Sequence, residues 1–275
     1  MTPSLQIGPL ALPWPLLLVF VTAAFALYLG RRAGKKLGLE VEPVLFRAVV
    51  AAVIAARLGF VWQYRDAYLS APLGILDIRD GGWSAEAGLI VGWLYALSAS
   101  RVRTELRKPV LSAMAATSAL WLAGTLALSM APVSTASLPR QSLAAPDGTR
   151  FDLAAFAGRP TILNFWATWC PPCLREMPLL QQAQRDHPGV NFVFLNQGES
   201  AERVNQFLAR HGLALRNVLL DPKGEMGAKF GQNAFPTTLF FDARGQLVGS
   251  RIGELSLATL TQRLETLSTK PVPPP

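Results

Sequence analysis

The residues best suited to chemistry are Cys170 and Cys173, the only two cysteines in a chain of 275 residues. Pro171 and Pro172 separate them. The apolar run 161–166 precedes the pair and a helical pattern follows it, so we predict that Cys170 lies at a helix start. Unpaired N–H groups and the helix dipole favour a negative charge there. We therefore expect Cys170 to be an exposed, thiolate-prone nucleophile, and Cys173, one turn later, to resolve a mixed disulfide.

Other interpretations of the cysteine pair remain open. A static disulfide would close too small a loop to constrain the unfolded chain much. Half of a zinc site would need two more ligands, and only His187 and His211 are present. Two inert thiols fit poorly with the double proline and an oxidising compartment. A peroxidase is disfavoured because its peroxidatic cysteine would stand alone. The pair favours exchange chemistry that uses no metal and no cofactor.

The composition indicates that part of the chain lies in a membrane. Hydrophobic residues make up 51% of the sequence, which is high for a wholly soluble protein. The formal net charge is +8, but many basic residues fall in two clusters, 31–36 and 101–108, each flanked by apolar sequence. This placement favours membrane topology and disfavours nucleic-acid binding.

Apolar segments predict an all-α transmembrane domain of about four helices in residues 1–131. The first is interpreted as a retained helix, since it lacks the basic start and cleavage site of a signal peptide. The second carries Arg47 and Arg57, which are costly at membrane depth unless they face protein or reach the interface. The third is short. The predicted spans cover 10–30, 43–63, 83–99 and 109–131.

Four spans predict a multi-pass membrane protein, and the family resemblances described below imply the bacterial inner (cytoplasmic) membrane. Both basic clusters then lie in the cytoplasm, as the positive-inside rule requires. The chain after residue 131 emerges on the periplasmic or extracytoplasmic side.

The remaining chain predicts one α/β domain at 139–268 after a linker at 132–138 rich in Ser, Thr, Ala and Pro. Strands alternate with helices and end in a hairpin, which indicates a central mixed sheet flanked by helices. The tail 269–275 is predicted to be disordered because of its prolines. The predicted strands cover 161–166, 190–195, 218–220, 237–241 and 246–251, and the predicted helices 170–186, 201–211, 223–230 and 256–267.

The segment 164–178, NFWATWCPPCLREMP, resembles the active-site segment of the TlpA/ResA branch of thioredoxin-like proteins. Residues 145–160 resemble the amino-terminal β extension of that family, 196–200 the start of its inserted αβ element, and 242–245 its late hairpin. The resemblance covers about 138–267. It implies a thioredoxin-like fold and thiol-disulfide oxidoreductase activity, most often as a reductase of protein disulfides.

The same resemblance assigns site residues. Pro236 matches the family's cis-proline, which leaves the backbone of Phe235 free to pair with an extended substrate strand. The alternative is an ordinary trans proline in a turn. Trp166 is either part of the docking face or plain core. The residues expected to contact substrate are Trp169, Pro171, Pro172, Phe235 and Thr237.

Glu176, three residues after Cys173, matches an acidic residue that is thought to influence cysteine protonation in ResA-like proteins. Such a carboxylate could raise the pKa values of the thiols or move a proton. The alternative is a solvated charge on a helix. Thioredoxin itself has a buried acid where this chain has Asn164, so proton handling is expected to differ from that of thioredoxin.

Residues 40–95 are similar to the front part of prolipoprotein diacylglyceryl transferase, with the likeness carried by 56–61 and 76–90. Where that family has a functional histidine, this chain has Glu86 followed by Ala87, and the later half of the transferase is missing. Lipid transfer is therefore disfavoured. A lipid-binding membrane protein, with a headgroup near Arg57 and Glu86 and an accessory redox domain, remains the rival interpretation.

The cysteine count also bears on partners. Residues 1–131 contain no cysteine, so this chain cannot relay electrons across the bilayer as a DsbD-type transporter does. A reductase would need an external thiol donor of that type. The direction of exchange depends on the reduction potential, which two prolines do not reveal. A domain that only docks partners is a further alternative.

Overall fold

The computed structural model describes residues 4–7, 10–69, 72–77, 80–130, 136–232 and 234–269. The chain divides into two compact units. One comprises residues 12–131, and the other comprises residues 132–275 together with residues 1–11.

The first unit is helical, in agreement with the predicted all-α domain. A small two-stranded sheet of β1 and β2 precedes it. Among the described residues, three segments are long and apolar enough to cross a membrane: Trp14–Leu37, Val41–Gln63 and Thr104–Met130. The elements are β1 (Ser4–Ile7), β2 (Leu10–Pro13), α1 (Trp14–Leu37), α2 (Val41–Gln63), α3 (Arg65–Leu69), α4 (Ala85–Val102) and α5 (Arg107–Met130).

Helix α1 starts later than predicted. Residues 10–13 form β2, and the helix begins at Trp14. Pro13 explains the shift, because a proline disfavours helical geometry at the residue before it, whereas Pro15 is tolerated in the first helical turn.

Helix α4 corresponds to the predicted third span but is not among the three segments that meet the length and composition of a span. Its 18 residues reach the length of a span, but with Glu86, Ser98, Ser100 and Arg101 it is less apolar than the other three segments. It nevertheless packs along α2 in the antiparallel direction. The two helices approach closely because small residues lie between them. Gly88 lies against Ala52 and Ala56, and Gly92 against Ala48 and Ala52.

One end of the helical unit holds both basic clusters. Leu29 and Ala33 of α1 pack there against buried residues from the start of α2, the end of α4 and the start of α5. The basic clusters 31–36 and 101–108 adjoin this core. Near the opposite end, Leu18 of α1 packs against Gly124 of α5. The buried residues of the shared core are Val41, Val44, Leu45, Ala96, Leu106, Val110 and Ala113.

Arg57, on α2, is a structural residue. Its side chain is buried and its Nη1 lies 2.8 Å from Oδ1 of Asp80. All five N–H groups of the guanidinium are used, since it also donates to the carbonyls of Gly74, Ile75, Asp77 and Gly82. The Tyr68 hydroxyl donates to the second oxygen of Asp80 at 2.7 Å. These bonds tie the segment after α3 to the helix and neutralise a charge that would otherwise be costly at this depth.

We predict that Arg57→Ala lowers the stability of the helical unit by about 3 to 5 kcal/mol, because the Asp80 carboxylate stays buried without its cation. The matched control is Arg47→Ala, an exposed arginine on the same helix, which should change stability little. The measurement is the midpoint of thermal denaturation of the full chain in detergent. Equal midpoints for both variants would contradict the structural role of Arg57.

The second unit is the α/β domain. Its seven strands lie in the order β4-β3-β7-β6-β5-β8-β9. β5 pairs parallel with β6 and antiparallel with β8, which makes the sheet mixed as predicted. The elements are β3 (Ser142–Ala144), β4 (Arg150–Asp152), β5 (Thr161–Trp166), α6 (Pro171–Asp186), β6 (Asn191–Gln197), α7 (Ala201–Arg210), β7 (Val218–Asp221), α8 (Glu225–Lys229), β8 (Thr237–Phe241), β9 (Leu247–Ile252) and α9 (Leu257–Thr269).

The central strand β5 is buried on both faces, which explains its nearly continuous apolar sequence. Ile162 and Trp166 point into a core formed with α6, α7 and α9. Leu163 and Phe165 point into a second core on the other face, formed with α8 and the segment around Leu153. Helices therefore cover both faces of the sheet.

The ends of this domain differ from the predicted boundaries. Residues 136–138, assigned to the linker by composition, pair with residues 245–247, and Leu138 is buried. The segment 131–135 lies outside the described residues. At the other end, α9 extends to Thr269, and the rest of the predicted disordered tail, 270–275, also lies outside them.

Candidate active site

The cysteine pair lies at the connection between the end of β5 and the start of α6. The strand ends at Trp166, and Cys170 is the N-cap residue of the helix that starts at Pro171. Cys170 and Cys173 form a disulfide, and the N–H of Cys173 lies 3.3 Å from the Cys170 sulfur. The helix N-terminus therefore stabilises negative charge on this sulfur once the disulfide is reduced.

Cys170 is less exposed than predicted. Only 3% of its surface is accessible, and it belongs to the core on the α6 face of the sheet. Its sulfur is bonded to the fully buried Cys173, so it is directed towards the helix and away from solvent. In this oxidised state, little of the disulfide surface is accessible to an attacking thiol.

An aromatic surface lies beside the disulfide. Trp169 is 61% exposed, and its ring centroid lies 5.9 Å from that of the partly buried Phe235. Pro171 is exposed and Pro172 half-buried. These four residues, all predicted to contact substrate, thus include accessible apolar surface at the first turn of α6.

The peptide bond between Phe235 and Pro236 is cis, as the resemblance implied. Thr237 differs from its predicted role in substrate contact. It is buried at the start of β8, between β5 and β9 in the sheet, and its hydroxyl donates to the carbonyl of Ala234 at 2.7 Å. Thr237 therefore holds the turn that carries Pro236.

Glu176 is buried, not a solvated helix charge. Only 1% of its surface is accessible. The side-chain amide of Asn164 donates to Oε1 at 2.8 Å, and the N–H of Leu255 donates to Oε2 at 2.9 Å. Burial raises the pKa of Glu176 to about 7, although these two hydrogen bonds partly oppose the shift.

Asn164 links Glu176 to the sheet. Its amide nitrogen also donates to the Thr238 hydroxyl at 3.0 Å, while its Oδ1 finds no hydrogen-bond partner among the described residues. The buried acid of this site thus comes from α6, and a neutral amide occupies the strand position where thioredoxin has its acid.

We predict that Glu176 makes the stability of the redox domain pH-dependent. Its folded-state pKa lies above its unfolded value, so the folded state binds the proton more tightly. The contribution of this group to stability is fully present below about pH 4.5 and is lost as the pH rises through 7, by about 3 kcal/mol on full ionisation. Glu176→Gln should remove most of this fall.

Pulse proteolysis of the full chain in urea, from pH 5 to pH 8.5, measures this effect. The control is Glu225→Gln, which alters an exposed carboxylate of α8 and should leave the pH dependence of the parent unchanged. If the Glu176→Gln curve follows that of the parent, the assigned pKa shift is wrong.

Sequence reasoning missed a second buried carboxylate at the site, that of Glu199. It lies in the loop after β6 and accepts hydrogen bonds from the N–H and hydroxyl of Thr168, two residues before Cys170. In the sequence, the motif 196–200 shows only a family resemblance, because a contact across 31 positions leaves no local pattern. Within the part of the chain that the structure describes, no group of three or more His, Cys, Asp or Glu residues is arranged to hold a metal ion.

Two family models match the chain, one for each half. The Redoxin model matches residues 131–264, and the model of prolipoprotein diacylglyceryl transferase matches residues 3–129. The second match confirms the likeness of the helical half to the transferase.

Curated relatives match the redox half. Thioredoxin-like protein YneN of Bacillus subtilis is 30% identical over 133 residues, 46% of this chain and 76% of the relative. Thiol-disulfide oxidoreductase ResA of Geobacillus thermodenitrificans is 30% identical over 123 residues, 44% of this chain and 70% of the relative. Thiol:disulfide interchange protein DsbE of Vibrio cholerae is 31% identical over 130 residues, 47% of this chain and 69% of the relative.

The mixed sheet and the cysteine pair at the start of α6 define a thioredoxin-like thiol-disulfide oxidoreductase. Through its carboxy-terminal half, the chain belongs to the redoxin family of thiol-disulfide oxidoreductases that includes ResA and DsbE. Its apolar helices associate it with a membrane.

Proposed function

We propose that this protein is a membrane-anchored disulfide reductase that acts on protein substrates outside the cytoplasm. The observation that carries the proposal is the disulfide between Cys170 and Cys173 at the start of α6, beside the exposed aromatic surface of Trp169 and Phe235. The relatives known as ResA and DsbE make exchange through this pair the expected chemistry.

The reaction starts from the reduced pair. The Cys170 thiolate attacks one sulfur of a target disulfide, a mixed disulfide forms, and the other target sulfur leaves as a thiolate. The Cys173 thiolate then attacks the Cys170 sulfur and releases the second target thiolate. Two electrons pass to the target, and the disulfide between Cys170 and Cys173 closes. A dithiol protein must then reduce this disulfide for the next cycle.

Substrate binding uses the turn at Pro236. The backbone of Phe235 lies just before β8 and is proposed to pair with an extended segment of the substrate. The rings of Trp169 and Phe235 cover apolar side chains of the substrate segment. Pro171 and Pro172 form the edge of this binding surface near the sulfurs. Thr237 supports this surface from below through its bond to Ala234.

Glu176 is proposed to handle protons during exchange. It lies one turn after Cys173 on α6 and has a pKa of about 7. A carboxyl group with this pKa can give up or accept a proton near neutral pH at little cost. It is therefore suited to protonate a departing thiolate or to receive the proton of an attacking thiol.

The extracytoplasmic orientation is supported by the helical unit. α4 lies antiparallel along α2, so the chain returns through the thickness that α2 crosses. The two basic clusters then share one end of the unit. Basic clusters favour the cytoplasmic side, and α5 runs from that end to the opposite one, which is the end from which the redox domain continues. Because residues 1–131 contain no cysteine, the electron donor is proposed to be another protein of DsbD type.

The rival lipid-binding function has less support. A headgroup phosphate on Arg57 would need free guanidinium donors, and all five are bound to Asp80 and backbone carbonyls. Glu86 accepts from the Ser84 hydroxyl at the start of α4. The likeness to the transferase therefore extends to the helical scaffold. Arg57, the arginine that the rival interpretation assigns to a headgroup, stabilises that scaffold.

We predict that Cys173→Ser, expressed in a bacterial membrane, accumulates a mixed disulfide through Cys170, because the resolving thiol is gone. Non-reducing gels followed by mass spectrometry of the adduct check this and identify the substrate. Cys170→Ser, which removes the nucleophile, is the matched control. Equal adducts in the two variants, or none in either, would favour a domain that only docks partners.

We predict that a reporter fused after residue 269 is active only outside the cytoplasm. Alkaline phosphatase should be active at this position, and a cytoplasmic fluorescent protein should not fluoresce there. The same reporters fused after residue 37, in the loop that follows the basic cluster 31–36, should give the opposite pattern. A fluorescent carboxy-terminal fusion without phosphatase activity would place the redox domain in the cytoplasm and overturn the orientation.

A further inference from the structure

The loop between β5 and α6 is anchored from a neighbouring strand. This loop, residues 167–170, carries both the exposed Trp169 and the nucleophile Cys170. Besides its own turn, in which the N–H of Cys170 donates to the carbonyl of Ala167 at 3.2 Å, its anchor is Glu199. The N–H of Thr168 lies 2.7 Å from Oε2 of Glu199, and the Thr168 hydroxyl 2.5 Å from Oε1.

The Glu199 carboxylate is itself held firmly. The amide of Asn196, near the end of β6, donates to Oε2 at 2.8 Å. Nε of Arg203, on α7, lies 2.9 Å from Oε1 and 3.1 Å from the Thr168 hydroxyl. Only 5% of the Glu199 side chain is accessible. Burial would raise the pKa of Glu199, but the donors outweigh it and the pKa is lowered, so the group stays ionised at neutral pH.

The strand register explains why this anchor reaches the site. β5 and β6 are parallel, and Trp166 is paired with Asn196. The loops that follow the two strands therefore leave the sheet at the same edge, with Thr168 in one and Glu199 in the other. The carboxylate accepts from both the N–H and the hydroxyl of Thr168, so it fixes the backbone two residues before the nucleophile.

We infer that Glu199 is a positioning residue for disulfide exchange, which holds the Thr168 backbone so that Cys170 and Trp169 meet the target disulfide in a fixed geometry. This inference rests on exchange through Cys170, and it adds a residue that never touches the sulfurs. Exchange requires the attacking sulfur to approach along the axis of the target disulfide, and a misplacement of about 1 Å can slow such a reaction by about a hundredfold.

Two substitutions separate positioning from charge. Glu199→Ala removes both hydrogen bonds between this residue and Thr168, and leaves the bond from Arg203 Nε to the Thr168 hydroxyl. Glu199→Gln removes the charge but keeps an oxygen that can accept from the Thr168 N–H, and its NH2 can donate to the Thr168 hydroxyl, which accepts as well as donates. If positioning matters, Gln should restore most of what Ala loses. Glu202→Gln, which neutralises an exposed carboxylate in the first turn of α7, is the charge control.

The experiment measures the rate of mixed-disulfide formation. The full chain carrying Cys173→Ser, reduced and held in detergent micelles, is mixed with a fluorogenic disulfide of glutathione in a stopped-flow instrument. Relative to this parent, we expect Glu199→Ala to react at least about tenfold more slowly, Glu199→Gln within about threefold, and Glu202→Gln at the parent rate. Pulse proteolysis checks that the redox domain of each variant is folded.

Specific outcomes overturn the inference. The inference is wrong if Glu199→Ala is folded and reacts at the parent rate. It is also wrong if Glu199→Gln reacts as slowly as Glu199→Ala, because the effect would then come from the charge. If Glu199→Ala does not fold, Thr168→Val replaces it in the test, since this variant deletes one hydrogen bond to Glu199 and leaves the carboxylate. A Thr168→Val rate equal to that of the parent then counts against positioning. A parent that forms no mixed disulfide would refute the proposed exchange itself, which keeps the two failures distinct.

Discussion

The pairing of β5 with β6 and β8 is the constraint on which the site depends. β5 lies between these strands and is buried on both faces. Because β6 is parallel to β5, the loops carrying Cys170 and Glu199 leave the sheet together. Because β8 is antiparallel, its first residue, Thr237, is paired with Phe165 near the end of β5. The cis-proline turn therefore lies near the cysteine loop, although 60 or more positions separate them along the chain.

Two buried carboxylates show how local partners decide charge. Glu176 receives two hydrogen bonds, from Asn164 and Leu255, and burial prevails, so its pKa rises to about 7. Glu199 receives bonds from Thr168, Asn196 and Arg203, and these prevail over burial. The first group can exchange protons near neutral pH, whereas the second is a fixed anion suited to anchoring. The difference lies in the deeper burial of Glu176 and in the larger number of donors around Glu199.

The helical half shows why a family likeness does not carry function with it. In the segments 56–61 and 76–90, which resemble the transferase, the described residues make contacts within the helical unit. Arg57 binds Asp80 and four carbonyls, and Gly88 and Gly92 permit close packing of α4 on α2. Exposed apolar side chains such as Phe20, Ile54 and Leu122 face outwards, as expected for surfaces that contact lipid. The scaffold is that of a membrane domain, and its buried arginine stabilises it.

The sequence by itself determined the features that depend on neighbours along the chain. Periodicity predicted the order of strands and helices in the redox domain, and the strand, the cysteine pair and the double proline together predicted Cys170 at the start of α6. The motif and its flanks identified the family, because the residues that define it lie within a few positions of each other.

Only the tertiary structure decided properties that depend on residues far apart. The burial of Cys170 and Thr237, the pKa of Glu176 and the anchoring of Thr168 by Glu199 all arise where separate strands and helices meet. The six hydrogen bonds of Arg57 reach 17 to 25 positions along the chain, and residues 136–138 join the sheet through partners more than 100 positions away. Such contacts leave no periodic pattern, since the free energy of burying a polar group is set by the partners that folding brings to it.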